Sequence, residues 1–91
     1  MTAIPPDSAW RLHPQVSVRP EPFGALLYHF GTRKLSFLKD RTLLTVVESL
    51  GDAVDARSAC EAAGVAHEHM PTYLSALGTL AESRMLEERA G

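Results

Sequence analysis

The side chains best suited to chemistry in this chain are four histidines and a single cysteine, Cys60. Only His67 and His69 lie close together in sequence, on either side of Glu68. Residues two apart on a helix point about 200° apart, so this pair cannot chelate one metal ion from a regular helix. A zinc site also requires three or four ligands. The pattern therefore favours solvated side chains near a helix start over a metal site.

Other catalytic patterns are also missing from the sequence. Cys60 lies in an alanine-rich segment, where a free cysteine is commonly a small buried hydrophobic residue. There is no phosphate-binding glycine loop, no nucleophile elbow and no carboxylate pair in an apolar context. We therefore expect a protein that is not an enzyme and that needs no cofactor and no metal.

Composition predicts a single globular domain with an uneven charge. The chain has 91 residues, 45% of them apolar, and a net charge of −2. Residues 1–41 carry six basic and three acidic groups, a charge of +3, whereas residues 42–91 carry three basic and eight acidic groups, a charge of −5. With one cysteine, no signal-peptide pattern and no membrane-length apolar run, we expect a cytoplasmic protein that does not enter a membrane.

The predicted secondary structure begins with three strands, at residues 15–19, 25–30 and 34–38. Taking Gly31-Thr32 as a two-residue turn, with glycine supplying the positive φ, pairs Tyr28 with Leu35 and Leu26 with Phe37. Four large apolar side chains then share one sheet face. We expect that face to be the core face.

Three amphipathic helices are predicted after the strands. Asp40 and Asp55 are suited to cap the first two, Gly64 to end the second, and Pro71 to lie in the first turn of the third. The third apolar stripe runs from Met70 to Arg84, and the residues after it resemble a solvated helix end. The predicted fold is α+β and winged-helix-like, a three-stranded antiparallel meander followed by three helices. We predict a flexible tail at 1–9, a domain at 10–88 and a short tail at 89–91.

A meander leaves the third strand with one free edge, at residues 34–38. Exposed edges are commonly protected by lysine, and Lys34 and Lys39 could have that role alone. The alternative is strand addition, in which an extended peptide pairs with the edge through its backbone. Gly78, in the middle of the third helix, allows a close approach either by another helix or by a ligand.

Two segments of the chain resemble a known protein family. The runs WRLHPQV at 10–16 and FGALLYHFGTRKLSFL at 23–38 are similar to the mycofactocin-biosynthesis peptide chaperones. These belong to the precursor-peptide recognition elements, the group similar to the pyrroloquinoline-quinone peptide chaperone. Such chaperones bind the leader of a short ribosomally made precursor peptide as an added strand and present it to a radical S-adenosylmethionine maturase.

The resemblance and the edge together give a predicted site. Backbone pairing would come from the third strand, apolar contacts from the third helix, and attraction of an acidic leader from flanking basic groups. The predicted peptide-binding residues are Lys34, Leu35, Ser36, Phe37, Leu38, Tyr73, Leu74, Leu77, Gly78 and Ala81, with Arg33, Lys39 and Arg41 for electrostatic attraction. Because Leu35 and Phe37 are expected in the core, we expect recognition at the strand to come mainly from its backbone.

Two other functions stay open on the sequence alone. The second and third helices form a helix-turn-helix pattern, which predicts nucleic-acid binding. However, the acidic residues along and after the third helix would repel phosphates, so we expect no nucleic-acid partner. The free edge could also pair with a second copy of the chain and form a homodimer.

Overall fold

The structure, a computed structural model, describes residues 3–89. Its central element is a three-stranded antiparallel sheet in the order β2-β3-β4, and a second, two-stranded sheet joins the two ends of the chain as β1-β5. The strands are β1 (Trp10–Leu12), β2 (Val16–Glu21), β3 (Gly24–His29), β4 (Leu35–Leu38) and β5 (Leu86–Glu88). The helices are α1 (Arg41–Ser49), α2 (Ala56–Ala62) and α3 (Met70–Glu82), the last preceded by a 3-10 turn at His67–His69.

The predicted α+β fold, with an antiparallel meander followed by three helices, is confirmed. The winged-helix likeness of the fold stays a prediction. The predicted hairpin register is also confirmed, because Leu26 lies opposite Phe37 and Tyr28 lies opposite Leu35. The prediction missed β1 and β5, whose three-residue segments are too short to show a period.

The turn between β3 and β4 differs from the predicted two-residue type. The N–H of Arg33 donates to the carbonyl of His29, and Arg33, with φ of 64°, takes the left-handed conformation expected of Gly31. The buried His29 holds the loop from inside, because its Nδ1 accepts from the N–H groups of Gly31 and Thr32 at 3.0 and 3.1 Å. A four-residue loop thus preserves the predicted register with different turn chemistry.

The prediction of the core face is wrong. The inner face of the sheet, which packs on the helices, carries Ala25, Leu27, His29, Ser36 and Leu38. Leu35 and Phe37 are instead 55% and 60% exposed on the outer face, with Leu26 and Tyr28 beside them. Register fixes which side chains share a face. The helices decide which face is covered, and α1 packs against β3 and β4 from the side of Leu27 and Leu38.

The predicted helix caps are confirmed. The Asp40 carboxylate accepts from the N–H of Thr42 at 2.8 Å, and Asp55 accepts from the N–H of Ser58 at 2.8 Å. Pro71 lies in the first turn of α3. These bonds satisfy N–H groups that a helix start leaves without a partner.

Helices α2 and α3 end in the same Schellman geometry with different residues. At α2, the N–H of Val65 donates to Cys60 and the left-handed position is Gly64, with φ of 85°. At α3, the N–H of Met85 donates to Leu80, and the left-handed position is Arg84, with φ of 64°. The predicted helical stripe therefore ends before Arg84, which turns the chain into β5.

These two helix ends form a matched pair for mutation. Replacing Arg84 with glycine should raise the free energy of unfolding by about 1 kcal/mol, because glycine adopts the left-handed conformation without steric cost. Gly64→Ala should lower it by a similar amount for the same reason. Urea unfolding of both variants measures the two changes in the free energy of unfolding. Destabilisation by Arg84→Gly would show that the contacts of the Arg84 side chain matter more than the backbone conformation at this position.

The residues after α3 form a strand and not the predicted solvated helix end. Arg11 lies opposite Glu87 in the β1–β5 pair, and the two side chains form an ion pair. The guanidinium of Arg89 donates to the carbonyls of Gly51, Ala53 and Val54 in the loop between α1 and α2. The C-terminal strand thus ties the start of the chain to the helical layer.

The segment before β1, predicted as part of a flexible tail, makes defined contacts from residue 4 onward. Ile4 is buried in the core, and its N–H donates to the carbonyl of Leu74 at 3.3 Å. The N–H groups of Ala56 and Arg57, in the first turn of α2, donate to the carbonyls of Ser8 and Pro6, both at 2.9 Å. Residues 1, 2, 90 and 91 lie outside the described residues, and the domain boundaries stay a prediction.

The core lies between the inner face of the sheet and the three helices. Cys60 is fully buried there, as predicted, and burial raises the pKa of its thiol. Within residues 3–89, no helix is both long enough and apolar enough to span a membrane.

Candidate functional site: the open edge of the sheet

The free edge of β4 offers the backbone groups of two residues. The N–H of His29 donates to the carbonyl of Lys34 at 3.0 Å, which makes these two a hydrogen-bonded pair. Antiparallel pairs alternate between bonded and non-bonded positions, so Ser36 and Leu38 also bond inward to β3. The N–H and C=O groups of Leu35 and Phe37 therefore point away from the sheet. No other strand of residues 3–89 pairs with them.

The opposite edge of the sheet, along β2, is protected. By the same alternation its outward residues are Val16, Val18 and Pro20, since the N–H of Phe30 donates to Gln15. The N–H of Val16 already donates to the carbonyl of His13 at 2.9 Å, and Pro20 has no N–H. Of the three outward residues of β2, only Val18 keeps a free N–H, so the β4 edge is the more favourable place for a further strand to pair.

Basic side chains stand at both ends of the open edge. Arg33 and Lys34 precede β4, Lys39 follows it, and Arg41 begins α1; all four are exposed. None of them forms an ion pair with another residue between 3 and 89. Their charge is therefore available to an approaching acidic group.

Asp40 links the end of β4 to α1 and α3. Besides capping α1, its carboxylate accepts a hydrogen bond from the hydroxyl of Tyr73 on α3. The bond from Tyr73, with a smaller contribution from the N–H of Thr42, holds the pKa of Asp40 below its usual value. The same bond raises the pKa of Tyr73. The sequence assigned Asp40 only a capping role, because a contact across 33 residues leaves no local signal.

Removing the Tyr73 hydroxyl should lower the free energy of unfolding by an amount that depends on pH. Asp40 has a lowered pKa in the folded state, so its bond stabilises the fold above the unfolded pKa near 4 and is lost as pH falls through the folded pKa. Tyr73→Phe should cost about 1–2 kcal/mol at pH 7 and progressively less below about pH 4.

Urea unfolding at several pH values, with Tyr28→Phe on the outer face as control, measures this dependence. A deficit for Tyr73→Phe that is constant from pH 7 to pH 3 would contradict an ionised acceptor.

The predicted helix residues of the site lie in different environments. Tyr73 and Ala81 are half-buried, whereas Leu77 and Gly78 are buried, with Leu77 fully enclosed. Leu74 lines a different cleft of about 450 Å³, formed with Ile4, Met70 and residues of α2. Of the α3 residues in the predicted groove, Tyr73 is the one that a hydrogen bond places at the end of β4. The peptide-binding role of all these residues stays a prediction.

Two aromatic residues near the edge were not predicted as site residues. Phe23 and Phe30 are 48% and 61% exposed, and both contact aromatic side chains of the outer face. A strand sequence that is apolar on both faces gives no indication of which face stays exposed.

The described residues show no assembled metal site. Between residues 3 and 89, no group of three or more His, Cys, Asp or Glu side chains is placed to hold a metal ion. The features that remain are an open strand edge, basic groups at its ends and an apolar face beside it. These features are typical of modules that bind an extended peptide at a sheet edge.

Comparison with known proteins agrees with this class. The model of the peptide chaperone MftB family matches residues 9–87. The chain belongs to the peptide chaperone MftB family, and the predicted resemblance to the peptide chaperones of mycofactocin biosynthesis is confirmed.

Curated relatives show the same relationship. The peptide chaperone MftB of Mycobacterium ulcerans is 68% identical over 84 residues, which is 92% of this chain and 77% of that protein. The peptide chaperone MftB of Mycobacterium tuberculosis is 67% identical over 92% of this chain and 77% of that protein. That of Mycolicibacterium smegmatis is 69% identical over 89% of this chain and 79% of that protein. No solved structure matches the chain.

Proposed function

We propose that this chain binds the leader of a short ribosomally made precursor peptide by strand addition at β4 and presents it to a radical S-adenosylmethionine maturase. The observation that carries the proposal is the open edge, where Leu35 and Phe37 direct their N–H and C=O groups away from the sheet. A peptide strand there would form two hydrogen-bonded pairs and extend the sheet to four strands.

The charges around the edge favour an acidic leader. The four basic side chains at the ends of β4 lie within one strand length of the pairing residues and are free of intramolecular ion pairs within the described chain. Such charges mainly raise the rate of association and depend on ionic strength. The proposal also includes two predictions: that the protein is cytoplasmic and that its partner enzyme is a radical S-adenosylmethionine maturase.

Amide hydrogen exchange on peptide addition tests the proposal residue by residue. In the free protein, the amide of Ser36 should be protected by β3, and those of Leu35 and Phe37 should exchange quickly. The precursor peptide should slow exchange at Leu35 and Phe37 and leave Val18, on the β2 edge, unchanged. A scrambled peptide of the same composition is the control. Tight peptide binding without protection at Leu35 and Phe37 would place the peptide elsewhere.

The two alternative functions have separate tests. A nucleic-acid binder should retain duplex DNA with an affinity that falls steeply with salt. A dimerisation module should show a concentration-dependent mass in sedimentation and protection at Leu35 and Phe37 without any peptide. Either result would replace the proposal.

A further inference from the structure

The outer face of the sheet carries an apolar cluster that no described part of the chain covers. Phe23, Phe30, Leu35 and Phe37 are each about half exposed or more. At roughly 200 Å² for a large side chain, they present on the order of 400 Å² of apolar surface. Apolar patches of this size on small proteins are often functional. We call these four side chains, with Leu26 and Tyr28 between them, the outer patch.

The outer patch is built as one surface. The rings of Phe23 and Phe37 lie 6.5 Å apart, and those of Tyr28 and Phe30 meet edge to face at 5.0 Å. The pairs Leu26–Phe37 and Tyr28–Leu35 join the two halves across β3 and β4. A peptide strand added at β4 would lie beside Leu35 and Phe37, but Phe23 and Phe30 would stay exposed. Peptide binding alone therefore does not account for this patch.

The charges at its rim indicate what kind of partner fits. Arg33 and Lys39 lie at the two ends of β4 and form no ion pair within residues 3–89. On β2, Arg19 and Glu21 form an ion pair at 3.2 Å, so the two together add little net charge to the rim. Two copies stacked through this face would oppose like charges, which is unfavourable. Contact with the acidic half of another copy would be head-to-tail and would not form a closed dimer.

We infer that the outer patch docks a second protein that presents apolar side chains rimmed by carboxylates. Since Leu35 and Phe37 belong both to the open edge and to the patch, this partner would contact the chaperone and the added peptide strand on one continuous surface. We identify this partner with the maturase, and this identification rests on the proposed function. Its affinity should then be higher when the peptide is bound.

The test uses a double variant that removes two aromatic rings of the outer patch and leaves the sequence of β4 unchanged. Phe23→Ser with Phe30→Ser deletes two exposed rings outside the strands. Val54→Ser is the matched control, since Val54 is an 82% exposed apolar residue in the loop between α1 and α2. Calorimetric titration of each protein with the purified maturase, with and without saturating precursor peptide, gives the affinities. Peptide affinity is measured separately on the same proteins.

We expect the double variant to bind the maturase at least about tenfold more weakly, as for loss of two exposed aromatic residues from an interface, with peptide affinity unchanged. Val54→Ser should match the wild type. Equal maturase binding by the double variant, or no binding by the wild type, would overturn the docking inference. Peptide titration decides the strand-addition proposal independently. Dimerisation of the wild type that the double variant loses would assign the patch to a second copy and also overturn the inference.

Discussion

Proline at Phe37 should weaken peptide binding at least about tenfold while leaving the domain folded. The N–H that proline removes points to the open edge, so the bonds between β3 and β4 stay intact. The chain already contains such a case, because Pro20 occupies an outward position on the opposite edge. Loss of one backbone hydrogen bond costs about 0.5–1.5 kcal/mol. The pyrrolidine ring would also obstruct the approaching strand.

Two further substitutions separate the possible causes. Phe37→Thr removes the ring but keeps the N–H and a strand-forming residue, so it should bind peptide more tightly than Phe37→Pro. Ser36→Pro removes an N–H that points inward to β3 and should destabilise the sheet itself. Titration with the precursor peptide and thermal unfolding of all three measure these effects. Equal binding by Phe37→Pro and Phe37→Thr would contradict backbone pairing at this position.

Alanine at Gly24 should lower the free energy of unfolding by about 3 kcal/mol or more. Gly24 begins β3 with φ of 150°, a conformation that L side chains rarely adopt. A Cβ there would lie far inside van der Waals distance of the Leu38 carbonyl oxygen and 2.9 Å from the Asp40 nitrogen. Both are backbone atoms, so the end of β4 and the start of α1 would have to move.

This displacement should be measurable as a lower melting temperature. For a domain of this size, 3 kcal/mol corresponds to about 15 °C in melting temperature. Gly51→Ala is the control, since no heavy atom outside its chain neighbours lies within 4 Å of a Cβ at that position. We expect it to unfold like the wild type. A Gly24→Ala variant with unchanged melting temperature would show that the β4–α1 corner is compliant.

Local chemistry predicted much of this fold. The capping roles of Asp40 and Asp55, the end of the second helix at Gly64 and the N-terminal Pro71 depend on neighbouring residues alone, and all four were predicted correctly. The β3–β4 register was also predictable, because pairing its large side chains needs only the two strands and their turn. The turn geometry was not, since a left-handed Arg33 and the hydrogen bonds of the loop to the buried His29 leave no local signal in the sequence.

The open edge was predictable in position, but the face on which its side chains lie was not. The sequence located the open edge at β4, because the last strand of a three-stranded meander has one free side. It placed Leu35 and Phe37 in the core on the strength of their size, and the structure exposes both. Because the face predicted as the core is the exposed one, its apolar side chains form the outer patch. No local sequence pattern indicates this patch.

What the sequence determined by itself is therefore the three strands of the meander, the three helices with the N-caps of the first two, and the pairing of β3 with β4. These depend on contacts between residues close along the chain or joined by one short turn. Only the tertiary structure decided which sheet face the helices cover, how β5 clasps β1, and how Tyr73 reaches Asp40. The Tyr73–Asp40 bond joins residues 33 positions apart, and the β1–β5 pairs join residues 74 to 78 positions apart. The geometry of these features is fixed by the packing of the helices on the sheet.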